Sequence, residues 1–265
     1  MPELPEVEIF KQYIDSTSLH KKIVNVDLTT PSLLGKITKE QLIEVLKNQK
    51  FEKTDRYGKH LLVGLDHELY LWLILHFGMS GNLEYFKESS DKPKYTKLLI
   101  EFENGYHLAY INIRKLGEIN LSKNITDFIK AKDLGPDVLQ ISYQKFRAII
   151  SSRRGTIKYT LMNQHIMAGI GNVYADEILF QTAINPETKA NEIAEKKREE
   201  LYDNMKKILK KAIEAGAEFG GLPDWFLISH RANNGRCPKC NTKLKQIKVS
   251  GRTTYYCPNR QPKKK

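Results

Sequence analysis

The chain has 265 residues and a formal net charge of +12, from 43 Lys and Arg against 31 Asp and Glu. Its length suffices for one large or two ordinary domains, and 40% hydrophobic with 28% charged residues describe a soluble globular protein. This composition excludes a membrane-embedded protein. The excess of cations favours an anionic partner, nucleic acid above all, although a lysine-rich solvated surface is the plainer alternative.

The N-terminus and the cysteine content indicate a reducing compartment. Glu3, Glu6 and Glu8 contradict the positively charged start of a secretory signal. The longest apolar run, 69–77, is too short to span a bilayer and predicts a buried strand. The three cysteines all lie near the C-terminus, which argues for a metal site rather than a disulfide framework. We therefore expect a cytoplasmic protein without membrane association.

The first half of the chain predicts a helix followed by a β-sandwich. Pro5 suits the first turn of a helix in which Leu4, Val7, Phe10 and Ile14 share one apolar face. Strand-like segments follow at 23–28, 61–65, 69–76, 98–102 and 107–111. The last two flank an Asn-Gly pair at 104–105, which is a strong signal for a hairpin turn.

The second half predicts helices and then a separate C-terminal segment. The string LGPD at 134–137 indicates a hinge, and the pattern from Ser142 to about Gly216 is helical. The i, i+4, i+7 spacing of a packed helix is given by Leu201, Met205, Ile208 and Ala212. The helices end near GGLP at 220–223, and the remaining residues carry the cysteines. We expect an α+β protein divided into residues 1–133, 134–225 and 226–265.

A glycine-rich string, MAGIGN at 167–172, interrupts the helical pattern. Gly169 and Gly171 permit a close backbone approach, and amides at the start of the next helix, near Val173, can bind phosphate. Asn172 could cap that helix or donate to a phosphate oxygen. A plain helix connector with an Asn cap remains the alternative for this string alone.

The cysteines have the spacing of a zinc ribbon without its fourth ligand. Cys237 and Cys240 form C-x2-C, and Cys257 follows after sixteen residues. Arg260 occupies the fourth position, where a permanently cationic guanidinium cannot ligate zinc. Three interpretations stay open: water or a distant residue such as His230 completes the site, the hairpin is metal-free, or Arg260 damages a four-cysteine site.

Between Cys240 and Cys257 lies a basic hairpin with Lys243, Lys245 and Lys248. The Ser-Gly pair at 250–251 predicts its turn. Arg252 follows that turn, and its planar fork suits a phosphate, although an ordinary exposed arginine is the alternative.

Six strings in one order resemble the formamidopyrimidine-DNA glycosylase and endonuclease VIII family. They are MPELPEVE at the start, GK at 58–59, HFGMSGNL at 76–83, LGPD at 134–137, GIGNVYADEILF at 169–180 and the terminal cysteine hairpin. The resemblance covers nearly the whole chain. It implies a bifunctional DNA glycosylase and abasic-site lyase, with a β-sandwich, a helix-two-turn-helix domain and a zinc-finger hairpin.

The resemblance assigns the chemistry to the acidic start. If Met1 is removed, Pro2 becomes a secondary amine that displaces the damaged base at the sugar C1′, and the resulting Schiff base permits strand cleavage by β- or δ-elimination. Glu3 matches the family's catalytic acid, and Glu6 matches a second buried acid. Lys59 matches the lysine that contacts the phosphate near the lesion.

The resemblance also implies a DNA interface. Asn172 and Arg252 match the residues that bind phosphates, and His76 lies in a matched string that is expected to contact DNA. These enzymes flip the damaged nucleotide out of the duplex. Met79 matches the wedge that fills the gap, and Arg114 matches the arginine that bonds the orphaned base.

Two departures from the family pattern concern specificity. Leu116 replaces the usual phenylalanine wedge, while Asn112 and Ile113 replace the usual Asp-Pro, which puts the opposite-base preference in doubt. Residues 222–237 are too few for the family loop that covers 8-oxoguanine. We therefore expect formamidopyrimidines, hydantoins or oxidised pyrimidines to be preferred over 8-oxoguanine.

The implied cofactor is Zn2+, and the implied partner is double-stranded DNA that contains oxidised bases or abasic sites. We expect a monomer, associated with the nucleoid if the source is prokaryotic. A non-catalytic damaged-DNA-binding protein on the same scaffold is the alternative, and an enzyme crippled at its finger by Arg260 is a third interpretation.

Overall fold

The computed structural model describes residues 2–65 and 71–263, which form two compact units. The first unit holds Pro2 and residues 6–133, and the second holds Glu3–Pro5 and the chain from Leu134 onwards. Each unit has its own apolar core. No helix among the described residues has the length and apolarity needed to cross a membrane.

Helices in the described residues are α1 (Leu4–Thr17), α2 (Lys39–Leu46), α3 (Ile125–Ala131), α4 (Tyr143–Ser152), α5 (Ile157–Met162), α6 (Asn172–Gln181) and α7 (Glu195–Glu214). Strands are β1 (Ile23–Leu28), β2 (Phe51–Tyr57), β3 (His60–Leu65), β4 (Trp72–His76), β5 (Gly81–Phe86), β6 (Thr96–Phe102), β7 (His107–Asn112), β8 (Glu118–Ser122), β9 (Lys245–Val249) and β10 (Arg252–Tyr256). Short 3-10 turns lie at Pro31–Leu33, Ser89–Asp91, Ala190–Glu192, Phe219–Gly221 and Ile228–His230.

The first unit is a sandwich of two four-stranded antiparallel sheets. One sheet has the order β1-β6-β7-β5 and the other the order β2-β3-β4-β8. Buried and half-buried residues alternate along β6, as in a strand with one face on the core. The strands predicted at 23–28, 61–65, 98–102 and 107–111 are therefore confirmed within one or two residues. Residues 69–70 of the predicted 69–76 strand lie outside the described part.

The two sheets of the sandwich share one core, to which α1 contributes. Val7 and Ile14 are fully buried among side chains from both sheets, and Phe10 packs against the same cluster. Leu4 does not join them, because it belongs to the core of the second unit. The predicted four-residue face of α1 was thus correct for its last three members.

The second unit is a helical bundle that continues into a β-hairpin. Residues of α4, α5, α6 and α7 supply most of its core, and the i, i+4, i+7 pattern predicted for α7 is buried as expected. Ser142 and Thr156 accept backbone hydrogen bonds at the starts of α4 and α5 and act as N-caps. The C-terminal hairpin pairs β9 with β10.

The turn of the hairpin lies where the sequence predicts it. Ser250 and Gly251 both have positive φ, at 50° and 74°, which is the geometry of a two-residue type I′ turn. Arg252 follows this turn directly and pairs with Val249 across the hairpin. The sequence prediction of an α+β fold that ends in a β-hairpin is confirmed.

Candidate active site and nucleic-acid interface

The carboxylate of Glu3 is buried at the N-terminus of α6. It accepts hydrogen bonds from the backbone amides of Gly171 at 2.6 Å, Val173 at 2.9 Å and Tyr174 at 3.3 Å, and Glu3 is only 1% exposed. These amides have no partner within the helix, and the positive end of the helix dipole favours a carboxylate there. Glu3 is therefore held in one orientation by Gly171 and its neighbours, although Gly171 lies 168 residues further along the sequence.

The glycine at position 171 makes room for this carboxylate. A Cβ on Gly171 would lie 2.3 Å from Cδ of Glu3, so no larger side chain fits without moving it. Gly171 itself is the N-cap of α6, and α6 starts at Asn172. The interpretation of Asn172 as the helix cap was wrong, because the Glu3 carboxylate already receives the first amides.

The amide side chain of Asn172 turns to the hairpin instead. Its Nδ2 donates to the carbonyl of Thr253 at 3.0 Å, while its Oδ1 is buried without a hydrogen-bond partner. Asn172 thus joins the start of α6 to the strand that carries Arg252. Arg252 is exposed at the tip of the hairpin.

The remaining residues of the predicted catalytic set lie in the sandwich unit. Pro2 is buried, whereas Glu6 and Lys59 are half-buried. Lys59 lies in the tight turn between β2 and β3, where Gly58 has a φ of 57° that favours glycine. The guanidinium of Arg56 donates to the carbonyl of Gly58 at 3.1 Å and thereby supports this turn.

Glu8, the third glutamate of the acidic start, forms an ion pair. Its carboxylate accepts from Nε of Arg56 at 2.8 Å, and the Arg56 side chain is only 5% exposed. This contact joins α1 to β2 within the sandwich. It assigns Glu8 a structural role that the sequence did not reveal.

His76 stands opposite His60 on neighbouring strands. The two rings lie 4.9 Å apart, and the peptide amide of Gly78 donates to Nδ1 of His76 at 3.4 Å. Burial, together with His76 and nearby lysines, lowers the pKa of His60 to about 3. Burial and Lys59 lower the pKa of His76 to about 4. Both imidazoles are therefore neutral at pH 7.

Two turns of the sandwich unit carry the predicted wedge. Met79 lies in the turn between β4 and β5, and Leu116 lies in the turn between β7 and β8. Both are large apolar side chains that stay exposed, at 39% and 51%. Arg114 is exposed in the second turn, and its amide donates to Oγ of Ser80 in the first at 3.0 Å. The two turns are therefore bonded to each other.

A buried asparagine fixes the second turn. Asn112 is fully buried; its Nδ2 donates to the carbonyl of Phe77 at 3.1 Å and to the hydroxyl of Tyr110 at 2.9 Å. Its Oδ1 accepts from the amide of Leu116 at 3.2 Å. A Cβ on Gly78 would lie 2.3 Å from the carbonyl oxygen of Leu116, so the turns approach closely. Asn112 therefore orders this loop.

The three cysteines come together at the base of the hairpin. Their sulfurs all lie within 4.8 Å of one another, and those of Cys240 and Cys257 are 3.6 Å apart. Zn–S bonds of about 2.3 Å in a tetrahedron separate two sulfurs by about 3.8 Å, so the donor set fits zinc. Hydrogen bonds with Thr242 lower the pKa of the Cys240 thiol, whereas burial raises that of Cys237.

Neither candidate for the fourth position completes this cluster. The guanidinium of Arg260 lies over the ring of Phe180, with Cζ 5.9 Å from the ring centroid. His230 forms a hydrogen bond with the carbonyl of Asp224 at 3.0 Å. Within the described residues, the group with metal-ligand geometry contains only the three cysteines. The suggestion that His230 completes the site was therefore wrong.

A buried ion pair that the sequence analysis missed also holds the hairpin. Lys158 and Asp176 have fully buried side chains and contact each other at 2.6 Å. Lys158 also donates to Oγ1 of Thr254 at 2.6 Å, and Asp176 accepts from the amide of Tyr255 at 3.0 Å. Arg231 adds a second cation to Asp176. A lysine in the apolar string IKYTLM was the available signal.

The roles of Gln261 and Glu177 were missed as well. No motif contains Gln261, and the string at 169–180 contains Glu177 without indicating its partner. The Gln261 side chain accepts from the amide of Cys257 at 3.0 Å and donates to the carbonyl of Ile184 at 2.8 Å. Glu177 accepts from the amide of Ile228 at 2.9 Å, and burial raises the pKa of its carboxyl to about 7. Both are buried polar groups that fix the segment that follows α7.

Comparisons with known proteins match this arrangement along the whole chain. Residues 1–119 match the formamidopyrimidine-DNA glycosylase N-terminal domain, and residues 134–221 match its H2TH domain. The formamidopyrimidine-DNA glycosylase of Ligilactobacillus salivarius is 34% identical over 279 residues, covering 98% of this chain and 99% of that protein. That of Streptococcus mutans is 29% identical, with the same coverage.

Solved structures of Lactococcus lactis Fpg are similar throughout. Its complex with DNA containing an abasic site has a TM-score of 0.89 and 27% identity, covering 99% of this chain and 100% of that one. Its complex with DNA containing N7-benzyl-Fapy-dG has a TM-score of 0.88 and 28% identity, with equal coverage. Both likenesses extend over the sandwich, the helices and the terminal hairpin.

Proposed function

Because the chain belongs to the formamidopyrimidine-DNA glycosylase family, we propose that it excises oxidised bases from duplex DNA through a Schiff base on Pro2. Membership of this family supports the general activity, which is base-excision repair of damaged bases. The observation that carries the finer proposal is the Glu3 carboxylate, buried and fixed at a helix N-terminus directly after Pro2 in the chain.

The proposed reaction begins at the amine of Pro2 after removal of Met1. An α-amino group has a pKa of about 7.7–8.0, so much of it is neutral near pH 7.5, unlike a lysine at about 10.4. The nitrogen lone pair attacks the sugar C1′, and the base leaves with the electron pair of the glycosidic bond and takes up a proton. The nitrogen then loses its proton, the C1′–O4′ bond breaks as the nitrogen lone pair forms the C=N bond, and the ring oxygen O4′ takes up a proton, which gives a cationic iminium.

The iminium then drives strand cleavage. It acidifies the C2′ proton, and removal of that proton expels the 3′ phosphate by β-elimination; a second elimination expels the 5′ phosphate. We assign Glu3 to stabilising the sugar cation and moving the protons, and Glu6 to supporting it. We assign Lys59 to the phosphate next to the lesion.

Duplex DNA with oxidised bases or abasic sites is the proposed partner, as in the similar Fpg complexes. Asn172 and Arg252 bind phosphates, and His76 contacts DNA close to the lesion. Met79 and Leu116 fill the gap left by the flipped nucleotide, because both are apolar and exposed on two bonded turns. Arg114 bonds the orphaned base.

The preferred lesions are formamidopyrimidines, hydantoins or oxidised pyrimidines rather than 8-oxoguanine. The segment where the family carries a covering loop is short, and its middle is anchored to the core: Phe226 and Leu227 are fully buried, and the amide of Ile228 donates to Glu177. A panel of lesion duplexes under single-turnover conditions tests this preference. Excision of 8-oxoguanine as fast as the other lesions would refute it.

The cysteine cluster is proposed to hold Zn2+ through Cys237, Cys240 and Cys257, with water as the fourth ligand. The sulfur spacing supports this, and Arg260 lies on Phe180. Metal analysis of the purified protein should give one zinc per chain, and replacement of Cys257 by Ser should abolish it. A metal-free protein with an intact hairpin would show that the cluster is only packed.

We further propose that the protein acts as a cytoplasmic monomer, associated with the nucleoid if the source is prokaryotic. Its proposed parts are a catalytic sandwich at 1–133, a helix-two-turn-helix domain at 134–225 and a zinc-finger-like hairpin at 226–265.

Borohydride reduction tests the central proposal. Borohydride converts the iminium into a stable amine, so lesion DNA should become covalently attached to the protein. Pro2→Gly should lose this adduct. Glu8→Gln should keep it, because the Glu8 carboxylate pairs with Arg56 and Lys11 and has no part in the proposed chemistry. DNA binding without any adduct would favour the non-catalytic alternative.

A further inference from the structure

A cavity of about 340 Å3 opens in the helical unit beside the end of α6. Its polar and aromatic lining consists of Gln181, Asn204, Lys207, Lys211, Trp225 and Lys239. The volume is in the range of sites for small organic ligands. Nothing in the proposed base excision uses this cavity.

An exposed indole and an ammonium define one wall of the cavity. Trp225 is 39% exposed and stands edge-on to Phe226, with 4.6 Å between ring centroids. Nζ of Lys239 lies 5.4 Å from the Trp225 ring and donates a hydrogen bond to Gln181 Oε1. Nε2 of Gln181 also donates to the carbonyl of Trp225 at 3.3 Å. The indole is thus held in place while part of its surface faces solvent.

The charge of the lining is positive. Lys207 and Lys211 are four residues apart on α7, so they share a face with each other, and Lys239 adds a third ammonium. No carboxylate is among the lining residues that the structure describes. Glu177, one turn before Gln181, is committed to Gln181 and to the amide of Ile228. An anionic ligand would therefore balance these lysines.

The cavity is remote from the proposed phosphate contacts within the same unit. Asn172 begins α6 and Gln181 ends it, which separates them by about 14 Å along a ten-residue helix. Arg252 is at the tip of the hairpin, whereas Lys239 lies in the cysteine turn before β9. The length of α6 therefore separates the cavity from Asn172, and strand β9 separates it from Arg252.

We propose that this cavity is a second nucleic-acid site, which binds one nucleotide of a single-stranded DNA outside the lesion duplex. The ammoniums of Lys207, Lys211 and Lys239 hold its phosphate, and its unpaired base stacks on Trp225. Stacking on an exposed aromatic ring beside lysines is how proteins bind single strands without sequence preference. A base within a duplex does not offer its face to an indole in this way.

The test uses the fluorescence of Trp225 in the full-length protein. The sequence has two tryptophans, so a Trp72→Phe background leaves Trp225 as the only one. This protein is saturated with a duplex that carries an abasic-site analogue and then titrated with a short 5′-phosphorylated oligothymidylate. We expect saturable quenching at one oligonucleotide per chain.

Matched charge variants distinguish binding in the cavity from non-specific electrostatic attraction to the protein. Lys207→Gln/Lys211→Gln should weaken oligonucleotide binding about tenfold, because it removes two of three phosphate-binding cations. Lys196→Gln/Lys210→Gln changes the same charge on exposed positions of the same helix and should change binding less than about twofold. Circular dichroism checks the fold, and excision of a lesion should be unchanged in both variants.

Four outcomes would overturn the proposal. If both double lysine variants weaken oligonucleotide binding equally, the attraction is non-specific. If the emission of Trp225 does not change on titration, no base stacks on its ring. Deoxythymidine monophosphate binding as tightly as the oligonucleotide would indicate a free nucleotide instead of a strand. Stronger binding of an acidic peptide that contains phenylalanine would assign the cavity to a protein partner. If Lys207→Gln/Lys211→Gln misfolds, Trp225→Leu replaces it, with anisotropy of a labelled oligonucleotide as the readout.

Discussion

The carboxylate of Glu3 does what an N-cap side chain usually does, for a helix that begins 169 positions later in the chain and whose own N-cap is Gly171. Its two oxygens accept from the amides of Gly171, Val173 and Tyr174. In most helices a Ser, Thr, Asp or Asn at the N-cap does this locally. Because hydrogen bonds hold both oxygens, the orientation of the carboxylate is set before any substrate binds, as the role that we propose for Glu3 in stabilising a developing cation requires.

Gly171→Ala tests whether this placement matters. An added Cβ would lie 2.3 Å from Glu3 Cδ, and the backbone at 171 has a φ of −120° that alanine adopts freely, so the carboxylate must move. We expect borohydride trapping on lesion DNA to slow about a hundredfold, since displacement of a reacting group by about 1 Å has such an effect.

Gly155→Ala is the matched control for that substitution. A Cβ at position 155 meets nothing closer than Cδ1 of Tyr159 at 3.5 Å, which is ordinary contact. Trapping at the wild-type rate is expected. Equal rates for Gly171→Ala and the wild type would mean that the position of the Glu3 carboxylate does not limit the reaction.

At the scale of elements, the two turns of the sandwich unit behave as one piece. Asn112 donates to the carbonyl of Phe77, and the amide of Arg114 donates to Oγ of Ser80, so the two turns are connected. The apolar side chains exposed on this support are those of Met79, Ile113 and Leu116. Exposed large apolar groups cost solvation free energy, so a surface that keeps them indicates a binding role. Leu116, which we propose as a wedge smaller than phenylalanine, is thus presented on an ordered support.

Asn112→Asp measures how much this support depends on an amide. Aspartate cannot donate to the carbonyl of Phe77, and its charge would be fully buried. We expect the free energy of unfolding in urea to fall by about 2–3 kcal/mol at pH 7, with a smaller loss at lower pH as the carboxyl protonates. Asn82→Asp, on an exposed position of β5, should change stability by less than about 0.5 kcal/mol.

The histidine pair on β3 and β4 makes the sandwich unit sensitive to acid. In the folded protein the pKa of His60 is about 3 and that of His76 about 4, whereas an unfolded histidine has a pKa near 6.5. Below pH 6.5 the unfolded chain therefore binds more protons, so stability falls as the pH falls. The loss at pH 5 should be about 2 kcal/mol for each histidine.

Urea unfolding between pH 4.5 and 7.5 measures this effect. His60→Gln/His76→Gln should show a flatter dependence than the wild type below pH 6.5. His20→Gln should retain the full slope, because the His20 side chain is 67% exposed. Parallel curves for the wild type and the double variant would mean that other groups cause the acid sensitivity.

At the scale of the whole molecule, the sequence predicted what depends on local pattern. The strand segments at 23–28, 61–65, 98–102 and 107–111, the i, i+4 spacing of α7 and the Ser-Gly turn each follow from neighbouring residues, and all were correct. Contacts between distant positions were not predictable. The Glu3 cap, the Lys158–Asp176 pair under the hairpin and the Gln261 links each need the fold before their partners become known.

The net charge of +12 favours binding of the whole molecule to DNA. The salt dependence of that affinity measures how many DNA phosphates the cations of the protein neutralise. Each such contact contributes about −0.9 to the slope of log K against log salt concentration. We propose that Arg252, exposed at the hairpin tip, makes one of them. Arg252→Gln should therefore flatten the slope by about 0.9, as measured by anisotropy of a labelled abasic-analogue duplex between 50 and 200 mM salt.

Two variants in the same unit distinguish a direct phosphate contact from a general charge effect. Arg236→Gln removes the same charge from an exposed residue near the cysteines, far along the hairpin from its tip, and should leave the slope unchanged. Asn172→Ala should weaken binding at every salt concentration without changing the slope, because a neutral amide releases no counterion. If Arg236→Gln and Arg252→Gln flatten the slope equally, the hairpin tip makes no specific phosphate contact, and the hydrogen bonds that hold it through Thr253 and Thr254 serve stability alone.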